Sequence, residues 1–131
     1  MTAKRFLSQY RYQETRLRAR REEIARLRSL LTSGVSHVRD TPRGGASRPW
    51  TDTAARILEL EERLQDDIER LLAAREAVEA AIGAVEDEQL RMILELRYLN
   101  GYGFGKIART MHYSYDWAKH LHQRALRAVR L

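Results

Sequence analysis

Apolar residues return at helical spacing in three separate stretches of this chain. From residue 3 to 32, Tyr10, Leu17, Ile24 and Leu31 recur every seven residues, with Phe6 and Leu27 at interleaved positions. That is the pattern of a helix with one buried seam. Gln13 and Arg20 interrupt the seam, and Arg11, Arg16, Arg18, Arg21, Arg26 and Arg28 cover the outer face. From 51 to 86, Ile57, Leu64, Leu71, Val78 and Val85 form a second seven-residue repeat, with Leu60, Ile68, Ala74 and Ile82 between them. Thr51 or Asp52 is the expected N-cap of this long helix. Glu59, Glu61, Glu62, Asp66, Asp67 and Glu69 are expected on its solvated side.

Between the two stretches, residues 33–50 hold both prolines and three glycines. This composition builds no core and predicts a flexible Gly/Pro/Ser loop. The expected organisation is therefore a basic N-terminal helix over 1–32, the loop over 33–50, an acidic long helix over 51–86 and a separate domain over 87–131. Two seams of opposite flanking charge predict a long, coiled-coil-like helical hairpin. Pairing of the same seams between two chains, giving a helical homodimer, stays open. Exposed ion pairs are worth only about 0–1 kcal/mol each, so the charges select register more than they add stability.

The third stretch has a shorter rhythm. A helix is expected to begin near Glu86-Asp87 and to stop at Asn100-Gly101, where glycine takes the left-handed cap conformation. Gly103 stands at the next N-cap, and Phe104, Ile107, Ala108 and Met111 line a short helix. After the turn His112-Tyr113-Ser114, Ser114 is expected to cap a last helix over 115–130. Its inner stripe is Ala118, Leu121, Ala125, Leu126 and Val129. A short helix, a three-residue turn and a longer basic helix have the spacing of a helix-turn-helix, with small Ala108 where the helices cross. The expected fold class is all-α: the hairpin followed by a C-terminal helix-turn-helix.

Charge sharpens this picture. Net charge is +6, distributed as +8 over residues 1–50, −7 over 51–100 and +5 over 101–131. A basic last helix suits a polyanion, with short reach to base edges near its N-terminus and cations farther along for phosphates. Tyr115, Asp116, Trp117, Lys119 and His120 meet the first need; Gln123, Arg124, Arg127 and Arg130 meet the second. There is no cysteine, which excludes disulfides and thiolate metal sites. His112, Asp116, His120 and His122 do not share one helix face, so no metal site is expected. Gly101, Gly103 and Gly105 lack the strand and the Gly-Lys-Ser/Thr of a phosphate loop. No paired carboxylates suggest acid–base chemistry. No enzyme, cofactor or small-molecule substrate is expected, and with no long apolar run the chain is expected to be cytoplasmic and without membrane attachment.

The run Ile93-Leu94-Glu95-Leu96-Arg97-Tyr98-Leu99-Asn100-Gly101, followed by FGKIARTMHYS and WAKHLHQRALRAVR, resembles the fourth region of sigma-70-type factors. That region reads a promoter element by placing its last helix in the major groove. With the start Ala3-Lys4-Arg5-Phe6-Leu7-Ser8-Gln9, the Gly/Pro-rich loop and the acidic helix, the chain is similar to small phage and prophage regulators of this type. Gly103, Gly105 and Lys106 depart from relatives that carry a Ser/Thr cap and acidic residues there. The resemblance implies a transcription regulator at the bacterial nucleoid, with double-stranded DNA and RNA polymerase as partners. It places Ser114 as the cap, Tyr115, Asp116, Trp117, Lys119 and His120 toward the groove, and Arg124 and Arg127 along phosphates. The alternative expectation is a protein-binding adaptor or inhibitor, acting on RNA polymerase or a host nuclease through the helix-turn-helix and the acidic helix.

Overall fold

The structure, a computed structural model, describes residues 1–38 and 47–131, with side chains described for 1–33 and 50–131. Among the described residues it is all-helical, without strands. The elements are α1 (Ala3–Leu7), α2 (Gln9–Val38), α3 (Ser47–Gly83), α4 (Glu88–Leu94), a π-helical turn (Glu95–Leu99), α5 (Phe104–Met111) and α6 (Tyr115–Ala128). No helix among the described residues is long and apolar enough to cross a membrane.

Three boundaries differ from expectation. The first helix is broken at Ser8, whose hydroxyl donates to the Lys4 carbonyl at 2.7 Å. A serine bonding back to the preceding turn competes with the helix ladder and bends it. The break brings Leu7, absent from the heptad seam, to full burial. Second, helical backbone extends to Val38 and resumes at Ser47, so the long helix starts before Thr51, and the expected loop keeps only 39–46, which lie outside the described residues. Third, α6 ends at Ala128, with Val129 extended, so Arg130 follows the helix.

The chain forms two compact units: Met1–Glu14 with Arg70–Leu131, and Thr15–Glu69. The expected boundary at residue 87 falls inside the first unit. There Leu7, Tyr10, Val78, Ile82 and Val85 share one core with Ile93, Leu94, Ile107, Ala118, Leu121 and Ala125. A fully buried leucine or isoleucine contributes about 1.5–3 kcal/mol, so the N-terminal residues are held by the same apolar burial that holds α4 to α6. Arg75 adds a polar tie, donating to the Tyr10 hydroxyl at 2.8 Å.

Asp87 caps α4 by accepting from the Leu90 N–H at 3.0 Å. The helix then widens: the Asn100 N–H donates to the Glu95 carbonyl, five residues back, at 3.0 Å. A π-turn inserts one residue into the helical repeat, and it lets Leu96 and Tyr98 both face the core. Gly101 follows at φ +78°, and a Cβ there would meet the Arg11 guanidinium at 3.0 Å. This position takes glycine for its conformation, since the exposed Arg11 side chain is free to move aside.

In the second unit, Ile24, Ile57 and Leu60 form the buried cluster, with Leu27, Leu31 and Leu64 partly covered. Arg28 meets Glu61 at 2.8 Å and Arg20 meets Asp67 at 2.9 Å, so the pairing runs antiparallel. Asp67, expected on the solvated acidic side, is only 2 % exposed. Arg20 interrupts the apolar seam of α2 because it faces this carboxylate. Arg16, at 3.9 Å, is the second cation near Asp67.

Candidate nucleic-acid interface

The packing of α6 decides which of its side chains are free. At about 100° per residue, Ala118, Leu121, His122 and Ala125 fall on one side, and all four are buried. Asp116, Trp117, Lys119, His120, Gln123, Arg124 and Arg127 fall on the opposite arc, and all are exposed. The sequence-expected set therefore shares one solvent-facing surface, with Tyr115 at its N-terminal edge, 52 % exposed.

Local backbone chemistry sets the angle at which this surface is presented. α5 starts at Gly103 without a side-chain cap. It ends at His112, which adopts the left-handed conformation at φ 59°. The Tyr113 N–H closes the turn on the Ala108 carbonyl at 2.8 Å. Ser114 then accepts from the Trp117 N–H at 3.1 Å, satisfying one free donor of the new helix, while Asp116 lies in the first turn where negative charge is favoured. Ser114→Ala is expected to lower the thermal unfolding temperature through a loss of about 1 kcal/mol. An unchanged melting curve would show that the cap adds nothing here.

Aromatic rings punctuate the exposed arc. Trp117 stacks on His120 with centroids 5.2 Å apart. Lys119 Nζ lies 5.5 Å from the Tyr115 ring centre. Among the described residues, every ion pair lies on α2 and α3, and none involves Lys106, Arg109, Lys119, Arg124 or Arg127. These cations of α5 and α6 keep their charge available to a ligand.

Beneath the arc lies a polar cluster that sequence reasoning missed. His122 is 3 % exposed, and its Nε2 shares a 2.7 Å hydrogen bond with the Tyr98 hydroxyl. Burial, with Arg97 and Lys4 nearby, lowers the His122 pKa to about 4, and burial raises that of Tyr98. Both groups are thus held neutral, since desolvation disfavours either charged form. Phe104 packs edge-on against His122 at 5.0 Å, and Arg97 lies 4.4 Å from the Phe104 ring centre while donating to the Tyr102 carbonyl. His122 fixes α6 against α5 and the π-turn and presents nothing to a ligand. The available signal was its position four residues after Ala118 on the inner stripe.

His112 caps α5, His120 stacks on Trp117 and His122 is buried. Among the described residues, no three metal-ligating side chains converge. No family model matches the chain, and no curated protein or solved structure is significantly similar to it.

Proposed function

We propose that α5, the His112 turn and α6 form a helix-turn-helix that docks on double-stranded DNA, with α6 in the major groove. The carrying observation is the exposed arc of α6, which presents Trp117 and Tyr115 together with Lys119, Arg124 and Arg127, three cations without an ion pair among the described residues. A helix that buries one side on its own domain and presents unpaired cations and aromatics on the other meets the requirements for groove docking. In this reading Tyr115, Asp116, Trp117, Lys119 and His120 approach base edges, while Gln123, Arg124 and Arg127 lie along phosphates. Ser114 orients the set as its cap.

The antiparallel contacts between 15–33 and 50–69 support an intrachain hairpin ahead of this module. In this reading the module is of the sigma region-4 type that the sequence resembles, and the function it serves is that of a phage-type transcription regulator. RNA polymerase is the protein partner this reading implies.

A gel-shift titration over a salt series tests the proposal. Wild-type affinity is expected to fall steeply with salt, as phosphate neutralisation releases counterions. Lys119→Ala with Arg124→Ala is expected to weaken binding about 10- to 100-fold and to reduce the logarithmic salt slope by about 1, for the lost phosphate-directed Arg124, with the loss of Lys119 felt at the base edges. Unchanged binding by the double variant would remove α6 from the interface.

The stacked Trp117–His120 pair, with Trp117 43 % exposed, favours a second reading in which the same surface anchors a protein. Tryptophan is enriched among residues that dominate protein interfaces. A stoichiometric protein partner that survives nuclease digestion, from a chain without DNA affinity, would select the adaptor or inhibitor function over the first reading.

A further inference from the structure

Among the described residues of the second unit, Thr15–Glu69, the buried apolar side chains are Leu17, Ile24, Ile57 and Leu60. Among its described residues only Ile24, Ile57 and Leu60 form a closed cluster, while Leu27, Leu31 and Leu64 remain partly uncovered and Leu58 is 65 % exposed. Two helices side by side can cover only one stripe each, and paired layers are the usual way to complete such a core. One flank of the pair carries a shallow groove of about 250 Å³, with Ile24, Ala25 and Leu64 as its apolar lining and Arg21, Arg28 and Glu61 as its polar lining. Leu58 lies three residues before Glu61, hence on the same flank of α3.

We propose that this flank is a homodimer interface, in which two copies of the Thr15–Glu69 unit pack into a four-helix bundle. The choice of a second copy rests on self-complementarity. The groove presents guanidinium groups from α2 and a carboxylate from α3, so a two-fold axis brings the α2 cations of each copy toward the α3 carboxylates of the other. Arg21 is exposed and, among the described residues, has no ion pair within its own chain; across the axis it meets Glu61 as that carboxylate's second cation, beside the Arg28 that already holds it at 2.8 Å. Leu58 of each copy fills the apolar floor of the other's groove, so one substitution acts twice. This interface differs from pairing of the two heptad seams between chains, because the seams here are already joined within one chain. It is also independent of whether α6 binds DNA.

Light scattering and sedimentation of the full chain at tens of micromolar test the proposal. The expected mass is twice the 15.3 kDa of one chain. Leu58→Gln, a change at an exposed site, is expected to weaken dimerisation at least about 100-fold while leaving the helical circular dichroism unchanged, because a two-fold interface loses the same leucine twice. Arg21→Glu is expected to weaken it independently by setting like charges together. Leu30→Gln serves as the control: Leu30 is also an exposed leucine, but it lies nine residues from Arg21, about half a turn round the helix. A monomeric wild type, a dimer indifferent to Leu58→Gln, or equal loss with Leu30→Gln would each overturn the proposal.

Discussion

Replacing Arg20 with leucine is expected to cost about 3–5 kcal/mol of folding stability, the range for removing one partner of a buried ion pair. The cause is what remains behind. Asp67 is 2 % exposed and takes its closest charged hydrogen bond from Arg20 Nε at 2.9 Å, while Arg16 stands off at 3.9 Å. A carboxylate out of water without that partner keeps its desolvation cost and loses most of the compensation. The Arg20 pKa is raised first by this hydrogen bond, with burial opposing it, so the guanidinium stays charged throughout.

The converse change is expected to be milder. With Asp67→Leu, the Arg20 side chain, 16 % exposed, has a path to solvent along its flexible stem. Combining both substitutions is expected to recover most of the stability, because an apolar pair of similar volume replaces buried ions at little net cost. Urea unfolding of the two single variants and the double variant measures this coupling. If the two single losses simply added in the double variant, Arg20 and Asp67 would not be acting as a pair.

The second large effect is one of pH. The unfolded chain binds a proton on His122 near the ordinary value of about 6.5, whereas the folded chain binds it only near 4. Between these values the unfolded state carries more protons, so stability rises with pH across this window. The contribution is complete above about 6.5 and is lost progressively as pH falls toward 4. At about 1.4 kcal/mol per pH unit, the loss is on the order of 3 kcal/mol. Arg97 and Lys4 face the imidazole with positive charge, and the Tyr98 hydroxyl is its neutral partner. His122→Gln keeps a hydrogen-bonding side chain and removes the titration. The difference in stability between wild type and variant is therefore expected to change by that amount between pH 7 and 4. Parallel pH curves would mean that the buried histidine takes up its proton as freely as in the unfolded chain.

Both predictions rest on polar residues at inner positions of otherwise apolar seams. Asp67 stands seven residues after Leu60 and seven before Ala74, so the repeat itself places it on the buried seam of α3, although its charge and its acidic neighbours point to solvent. A second mark is on the other helix, where Arg20 interrupts an otherwise apolar seam. His122 enters the sequence reading only as a metal-ligand candidate off the face of the others, although its spacing from Ala118 and Ala125 places it on the inner stripe. Leu7 went unseen because the seam was drawn as one continuous helix, whereas the Ser8 hydroxyl ends that helix at Leu7.

The existence of the helices, and the caps at Asp87, Gly101 and Ser114, follow from the local chain. Asp87 and Ser114 cap because short acceptors reach the free N–H groups of a first turn, and Gly101 takes a left-handed conformation that other residues resist. The local chain also determined the exposed arc of α6, since inner apolar spacing leaves Lys119, His120, Gln123, Arg124 and Arg127 only the other side. These are properties of a few consecutive residues. Only the tertiary fold shows that the first fourteen residues join the core of α4 to α6, that the helix widens over Glu95–Leu99, and that the partners of Asp67 and His122 are Arg20 and Tyr98. Each of these depends on which distant segment supplies the other side of a contact. The free energy of burying a polar group is set by that partner, not by its neighbours in the chain.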